Sequence, residues 1–134
     1  MITYPDGTKY EGFFLKGKQE GKGRCTYSHG DVYEGDWKNN KSEGFGTLYS
    51  TSGYVYQGEW VNDIQHGYGE ESNIKGSNYK GTYVQGRKTG KGILKTFNGD
   101  EYEGDFSDDQ FHGYGTIKFW FLSLIFLSLS QSTI

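Results

Sequence analysis

Aromatic and glycine positions alternate with charged ones in short runs along this chain. In Tyr33-Glu34-Gly35-Asp36-Trp37-Lys38, an extended backbone puts Tyr33, Gly35 and Trp37 on one face and Glu34, Asp36 and Lys38 on the other. A polar stretch, Asn39-Asn40-Lys41-Ser42, reads as a turn. The alternation resumes with Gly44, Gly46 and Leu48 on one face and Phe45, Thr47 and Tyr49 on the other, and Ser50-Thr51-Ser52-Gly53 closes a second turn. Two strands and two turns in 23 residues predict one β-hairpin plus its connection. A helix pair needs more residues and would not tolerate so much glycine.

The pattern recurs without insertion or deletion. Tyr-x-Gly units start at Tyr10, Tyr33, Tyr56, Tyr79 and Tyr102, and Gly-x-Gly units at Gly21, Gly44, Gly67, Gly90 and Gly113. Gly7, Gly30, Gly53, Gly76 and Gly99 open the units, and Gly17 and Gly86 share one more slot, so all 22 glycines are in register. One face carries an aromatic slot (Phe14, Trp37, Trp60, Tyr83, Phe106) and an apolar slot (Cys25, Leu48, Glu71, Leu94, Ile117), in which Glu71 is the exception. The other face is mostly polar, apart from Phe13, Leu15, Phe45, Tyr68 and Tyr114. The expected fold is all-β: an elongated, single-layer, twisted antiparallel sheet of five tandem 23-residue hairpins. Repeated glycine within strands implies that rings from neighbouring strands lie over bare backbone, giving a glycine-and-aromatic core with no opposing layer.

Residues 1–119 are expected to form the array, with a partial unit at the start, and 120–134 a non-repeat apolar tail. The chain opens inside the second half of a unit. This reads either as a lone edge strand or as the end of a longer array, and the longer array is the expectation. Phe13 and Leu15 would then lie under a preceding hairpin. The uncharged run Phe119–Leu129 is 11 residues long, against about 20 for a membrane-spanning helix. It reads as a cover for the open end of the array, with a membrane-interface anchor as the alternative; only Lys118 precedes it.

Composition changes the picture little. Glycine-rich chains are often disordered, but aromatics at 18% and in strict register argue for order. A net charge of −3 gives no basic balance for nucleic acid. The single cysteine, Cys25, excludes an internal disulfide and sits in the apolar slot as a small buried hydrophobe. Gly-x-Gly lacks the third glycine and following helix of a dinucleotide fingerprint. His66 and His112 are two repeats apart and cannot share a metal, and His29 lies in a turn. No catalytic set, metal site or cofactor is expected. Residues 72–99 hold six bases (Lys75, Lys80, Arg87, Lys88, Lys91, Lys95) and no acid, whereas 100–109 hold six acids and no base. Cross-strand compensation is the plain reading. The sharper one is an anionic phospholipid headgroup site at Lys80, Arg87, Lys88, Lys91 and Lys95.

The unit resembles the MORN (membrane occupation and recognition nexus) repeat, most clearly at Gly53-Tyr54-Val55-Tyr56-Gln57-Gly58-Glu59-Trp60 and Gly99-Asp100-Glu101-Tyr102-Glu103-Gly104-Asp105-Phe106. It departs from that pattern at the turn glycine, replaced by Asn40, Asp63 and Asp109, and before Gly-x-Gly, where Glu20, Glu43 and Thr89 stand in place of the family's frequent histidine. The resemblance implies a groove lined by the glycine and aromatic slots. It also implies a non-catalytic interaction module in a cytoplasmic setting, associated with cytoskeleton or membrane. A single layer cannot bury both faces, so the expected site is a groove centred on Tyr33, Trp37, Tyr56, Trp60, Tyr79, Tyr83 and Tyr102 that takes a helix or extended peptide. The runner-up is a peripheral membrane adaptor using the basic fourth unit and the tail. End-to-end self-association is a further expectation, because the first strand is left open.

Overall fold

A computed structural model describes residues 1–120. The strands are β1 (Ile2–Thr3), β2 (Lys9–Leu15), β3 (Lys18–Thr26), β4 (Val32–Lys38), β5 (Lys41–Tyr49), β6 (Val55–Val61), β7 (Ile64–Ser72), β8 (Asn78–Val84), β9 (Arg87–Lys95), β10 (Glu101–Ser107) and β11 (Gln110–Lys118). They form one sheet in sequence order, every neighbour antiparallel. The expected all-β hairpin array is thus observed, with Ile2–Thr3 added as a short edge strand. Residues 121–134, most of the apolar tail, lie outside the described residues.

Each hairpin closes through a two-residue turn with positive φ at both positions: Asn39 at 49° and Asn40 at 66°, for instance, or Asp108 at 48° and Asp109 at 70°. This is the type I′ geometry whose twist matches the flanking strands. Asn and Asp at the second position do more than tolerate that geometry. The backbone N–H of Asn40 donates to the Gln19 carbonyl at 3.1 Å, and its Oδ1 accepts from the Gln19 N–H at 2.8 Å. Asp63 pairs in the same way with Ser42, and Asp109 with Lys88. From the second hairpin on, each turn therefore docks on a strand start of the preceding hairpin.

The register aligns Gly12, Gly23, Gly35, Gly46, Gly58, Gly69, Gly81, Gly92, Gly104 and Gly115 in a line across β2 to β11. On one face, here the ring face, tyrosine rings lie flat over this line. A Cβ on Gly46 would overlap the hydroxyl and ring carbons of Tyr33. A β-bulge just beyond the line shifts the register in every hairpin, as between Gly35 and Trp37.

Candidate functional site

The ring face holds a continuous ladder running Phe14, Tyr10, Trp37, Tyr33, Trp60, Tyr56, Tyr83, Tyr79, Phe106, Tyr102 and Phe111. From Phe14 to Tyr102 successive rings meet edge to face, with centroids 5.0 to 5.4 Å apart, and Phe111 stacks on Tyr102 at 4.1 Å. From Trp37 onward, each aromatic-slot ring bridges the tyrosine of its own hairpin and that of the hairpin before. Polar atoms lock the ladder to the backbone. The hydroxyls of Tyr10, Tyr33, Tyr56, Tyr79 and Tyr102 donate to the carbonyls of Phe13, Asp36, Glu59, Thr82 and Asp105. The Nε1 atoms of Trp37 and Trp60 donate to the Gly23 and Gly46 carbonyls.

This arrangement corrects the expectation of an open aromatic groove. Tyr33, Trp37, Tyr56, Trp60, Tyr79, Tyr83 and Tyr102 are brought together in one row, but each is buried, with at most 7% of its surface exposed. Edge-to-face packing over glycine backbone closes the gaps that flat stacking would have left. Beside the ladder, Tyr4, Tyr27, Leu48, Tyr54 and Leu94 pack against it and stay partly open, and Phe14, Phe111 and Ile117 are exposed near its two ends. Tyr27, His29, Asp31, Ser42, Leu48 and Asp63, together with the ladder rings Tyr33 and Trp60, line a hollow of about 200 Å³. Tyr27 and Tyr54 were not singled out in the sequence, although Tyr54 stands two residues before a ladder tyrosine and so shares its face.

Glu71 explains its own exception. Its Oε1 accepts from the Tyr83 hydroxyl at 2.5 Å and the Tyr54 hydroxyl at 3.4 Å, and lies 3.3 Å from Lys88 Nζ. Lys88 also sits 5.4 Å over the Tyr79 ring and 4.0 Å from Asp109. A carboxylate in an apolar slot is matched here by a tyrosine in place of tryptophan and by a lysine in a slot held by Gln19, Ser42, Gln65 and Phe111 elsewhere. Burial, then the hydrogen bond to Glu71, pushes the Tyr83 hydroxyl far above its usual range. Burial also raises the Cys25 thiol and the hydroxyls of Tyr33, Tyr54 and Tyr56, and takes Tyr79 to about 12. Cys25 is buried, as its slot implied.

The five basic residues do not form one site. Lys88 is on the ring face, held by Glu71 and Asp109. Lys80, Lys91 and Lys95 project from the opposite face, and Arg87 sits at the hairpin end, 3.7 Å from Asp108. Lys91 pairs with Asp105 at 2.5 Å, and Lys80 reaches Glu70 at 4.0 Å. The hydrogen bond and charge of Lys91 hold the Asp105 carboxyl below its ordinary value. The acids of 100–109 therefore face much of the basic run across the strands, because side-chain alternation splits a run of bases between two faces. Lys80 and Lys91 do share a shallow hollow of about 620 Å³ with Tyr68, Thr82 and Ile93 over the glycine line.

Glu20 and Glu43 replace histidine as acceptors. Their Oε2 atoms take the Asn39 and Asn62 N–H groups at 3.1 and 2.8 Å, as His66 Nδ1 takes that of Gln85 at 3.4 Å. Among the described residues, no three His, Cys, Asp or Glu side chains converge as a metal site, and no buried side-chain nitrogen or oxygen lacks a hydrogen bond. No helix among them is long and apolar enough to cross a membrane.

An open single-layer sheet of like hairpins, whose core among the described residues is a ladder of rings over glycine, defines a tandem β-hairpin repeat array. The MORN repeat model matches residues 10–32, 33–53, 56–77, 79–101 and 102–119, so the chain belongs to the MORN repeat family. Repeats of this family are a non-enzymatic scaffold associated with protein and membrane interaction. Comparison with curated proteins gives no match.

Proposed function

We propose that the array is a non-catalytic scaffold that holds a protein segment, either a helix or an extended peptide, along its ring face. One observation carries this reading. Among the described residues the ring face has no opposing layer, and Tyr27, Leu48, Tyr54 and Leu94 leave a partly open apolar row beside the buried ladder. Asp31 and Asp63 beside Leu48 favour a segment that carries a base next to its apolar anchor. The ladder rings, Tyr33 to Tyr102, fix the shape of this floor from beneath. The setting expected for such a scaffold is cytoplasmic, on cytoskeleton or membrane. Peptides selected against the array from a display library test the reading. Leu48→Asp should weaken the selected binders about tenfold or more, while Lys80→Glu on the opposite face leaves them unchanged. Binders lost with Lys80→Glu and kept with Leu48→Asp would place the site on the wrong face.

A second reading, a surface for anionic phospholipid, has its own observation. Ile74, Phe97 and Trp120 occupy the same loop position in successive units, are 79%, 69% and 55% exposed, and have Lys75, Lys95 and Lys118 close in sequence. Exposed apolar tips beside lysines suit a membrane interface. Sedimentation with phosphatidylserine vesicles that Phe97→Ser abolishes would favour this reading over the first.

A further inference from the structure

Among the described residues, the two outer strands lack a full neighbour. β11 is exposed along its whole length, and β2 is met only at Lys9 and Tyr10, by the two residues of β1. The repeat dictates what each open edge fits. Across β9 and β10 the register joins Gly90 to Phe106, Lys91 to Asp105, Gly92 to Gly104, Ile93 to Glu103, Leu94 to Tyr102 and Lys95 to Glu101. Moved one repeat forward on β9 and four back on β10, the same register sets Gly113 against Phe14, Tyr114 against Phe13, Gly115 against Gly12, Thr116 against Glu11, Ile117 against Tyr10 and Lys118 against Lys9. We propose that β11 of one copy pairs in this register with β2 of a second copy, so that the chain assembles head to tail into a continuous sheet.

Three features favour a second copy over some other strand. The first is the pair Tyr114 and Phe13 on the charged face, 90% and 69% exposed. At the matching positions inside the chain stand the ion pairs Lys22–Asp36 and Lys91–Asp105 and the mixed pairs Phe45–Glu59 and Tyr68–Thr82. Only at the seam is the pair aromatic on both sides, where cross-strand rings stabilise a sheet. The second is at the turn. His66 accepts from a turn ending in glycine, Gln85-Gly86, whereas Glu20 and Glu43 accept from Asn39-Asn40 and Asn62-Asp63. The seam brings His112 to Lys16-Gly17, the one other hairpin turn of the glycine kind. The third is the ladder. Phe14 is 39% exposed at its open end, and the seam brings it to Tyr102 of the other copy, where Phe111, stacked on that ring at 4.1 Å, has to shift for Phe14 to lie as Phe106 lies over Tyr79.

β1 occupies the places of Ile117 and Lys118 at this seam, so a two-residue strand gives way to six pairings. Lys118 against Lys9 opposes the joint, and salt screens that repulsion. A heterologous seam of this kind does not close on itself, and assembly should continue past the dimer.

Sedimentation velocity of the full chain over a range of concentrations tests this. The expected result is a reversible series beyond the dimer that strengthens with salt. Ile2→Pro with Thr3→Pro, which strips β1 of its donors, should strengthen it about tenfold. Tyr114→Lys and Phe13→Asp should each abolish it. Combined in one chain they recreate the Lys91–Asp105 type of pair and should restore it. Both positions are exposed, so the variants keep strand circular dichroism. Association that stops at a dimer, that Tyr114→Lys leaves unchanged, or that the double variant fails to restore would overturn the proposal.

Discussion

Gly46→Ala should destabilise the array even though alanine suits a strand better than glycine. The backbone at Gly46 is not in the positive-φ region, so alanine can adopt it. By conformational entropy alone the substitution would stabilise by about 0.5–1 kcal/mol. The structure reverses the sign. The new methyl would overlap the Tyr33 hydroxyl and ring carbons, and the ring would have to tip away. Tipping strains contacts with Trp37 and Trp60, at centroid distances of 5.0 and 5.3 Å, and the 2.9 Å hydrogen bond to the Asp36 carbonyl. Edge-to-face contacts contribute about 0.5–1.5 kcal/mol each and such a hydrogen bond about 1, so partial loss of all three leaves a net destabilisation of roughly 1–3 kcal/mol. Urea unfolding followed by circular dichroism measures it. At a slope of about 1.5 kcal/mol per molar, the midpoint should fall by about 1 M. In a Tyr33→Ala background the ring is gone, and Gly46→Ala should then be neutral or stabilising. An unchanged or higher midpoint for the single variant, or equal losses in both backgrounds, refutes the reasoning.

Two other outcomes follow from the same face. Burial raises the hydroxyls of Tyr33, Tyr54, Tyr56, Tyr79 and Tyr83, whereas in the unfolded chain they ionise near pH 10. The unfolded chain thus loses protons first, and stability should be full below about pH 10 and fall as pH rises through the folded value, about 12 for Tyr79. Tyrosinate absorbance should rise together with loss of strand circular dichroism; complete ionisation with the sheet intact would count against buried hydroxyls. Glu71→Leu alone should cost about 1–3 kcal/mol, because Lys88 and the Tyr83 hydroxyl lose their acceptor. Adding Tyr83→Trp and Lys88→Gln rebuilds the Leu48, Trp60, Gln65 set and should recover most of the loss in thermal melts.

Much of the fold is legible in the sequence because glycine is. An unbroken register from Gly7 to Gly115 fixes strand number, faces and pairing partners before any coordinate is known. The burial of the rings is not legible in the same way. Alternation shows that Tyr33 and Trp37 share a face, but only the edge-to-face geometry shows that they seal it and leave Leu48 and Tyr54 as the open apolar surface. The basic run misleads because charge was counted along the chain; alternation already separates Lys88 from Lys91. Asn40, Asp63 and Asp109 are readable as residues that tolerate a left-handed turn. Their bonds to strand starts 21 residues earlier depend on how hairpins dock.

The sequential strand order has a mechanical consequence. Interstrand hydrogen bonds run across the strands, parallel to the long axis of the array. Tension applied between the first and last hairpins therefore loads these bonds in series and opens them a pair at a time, the weak direction of a sheet. Each 23-residue hairpin that peels away releases on the order of 75 Å of chain while the remaining ladder stays closed. Between two anchored partners such an array lengthens by steps under modest load, which a single-molecule extension trace would register, and it recoils hairpin by hairpin when the load is removed.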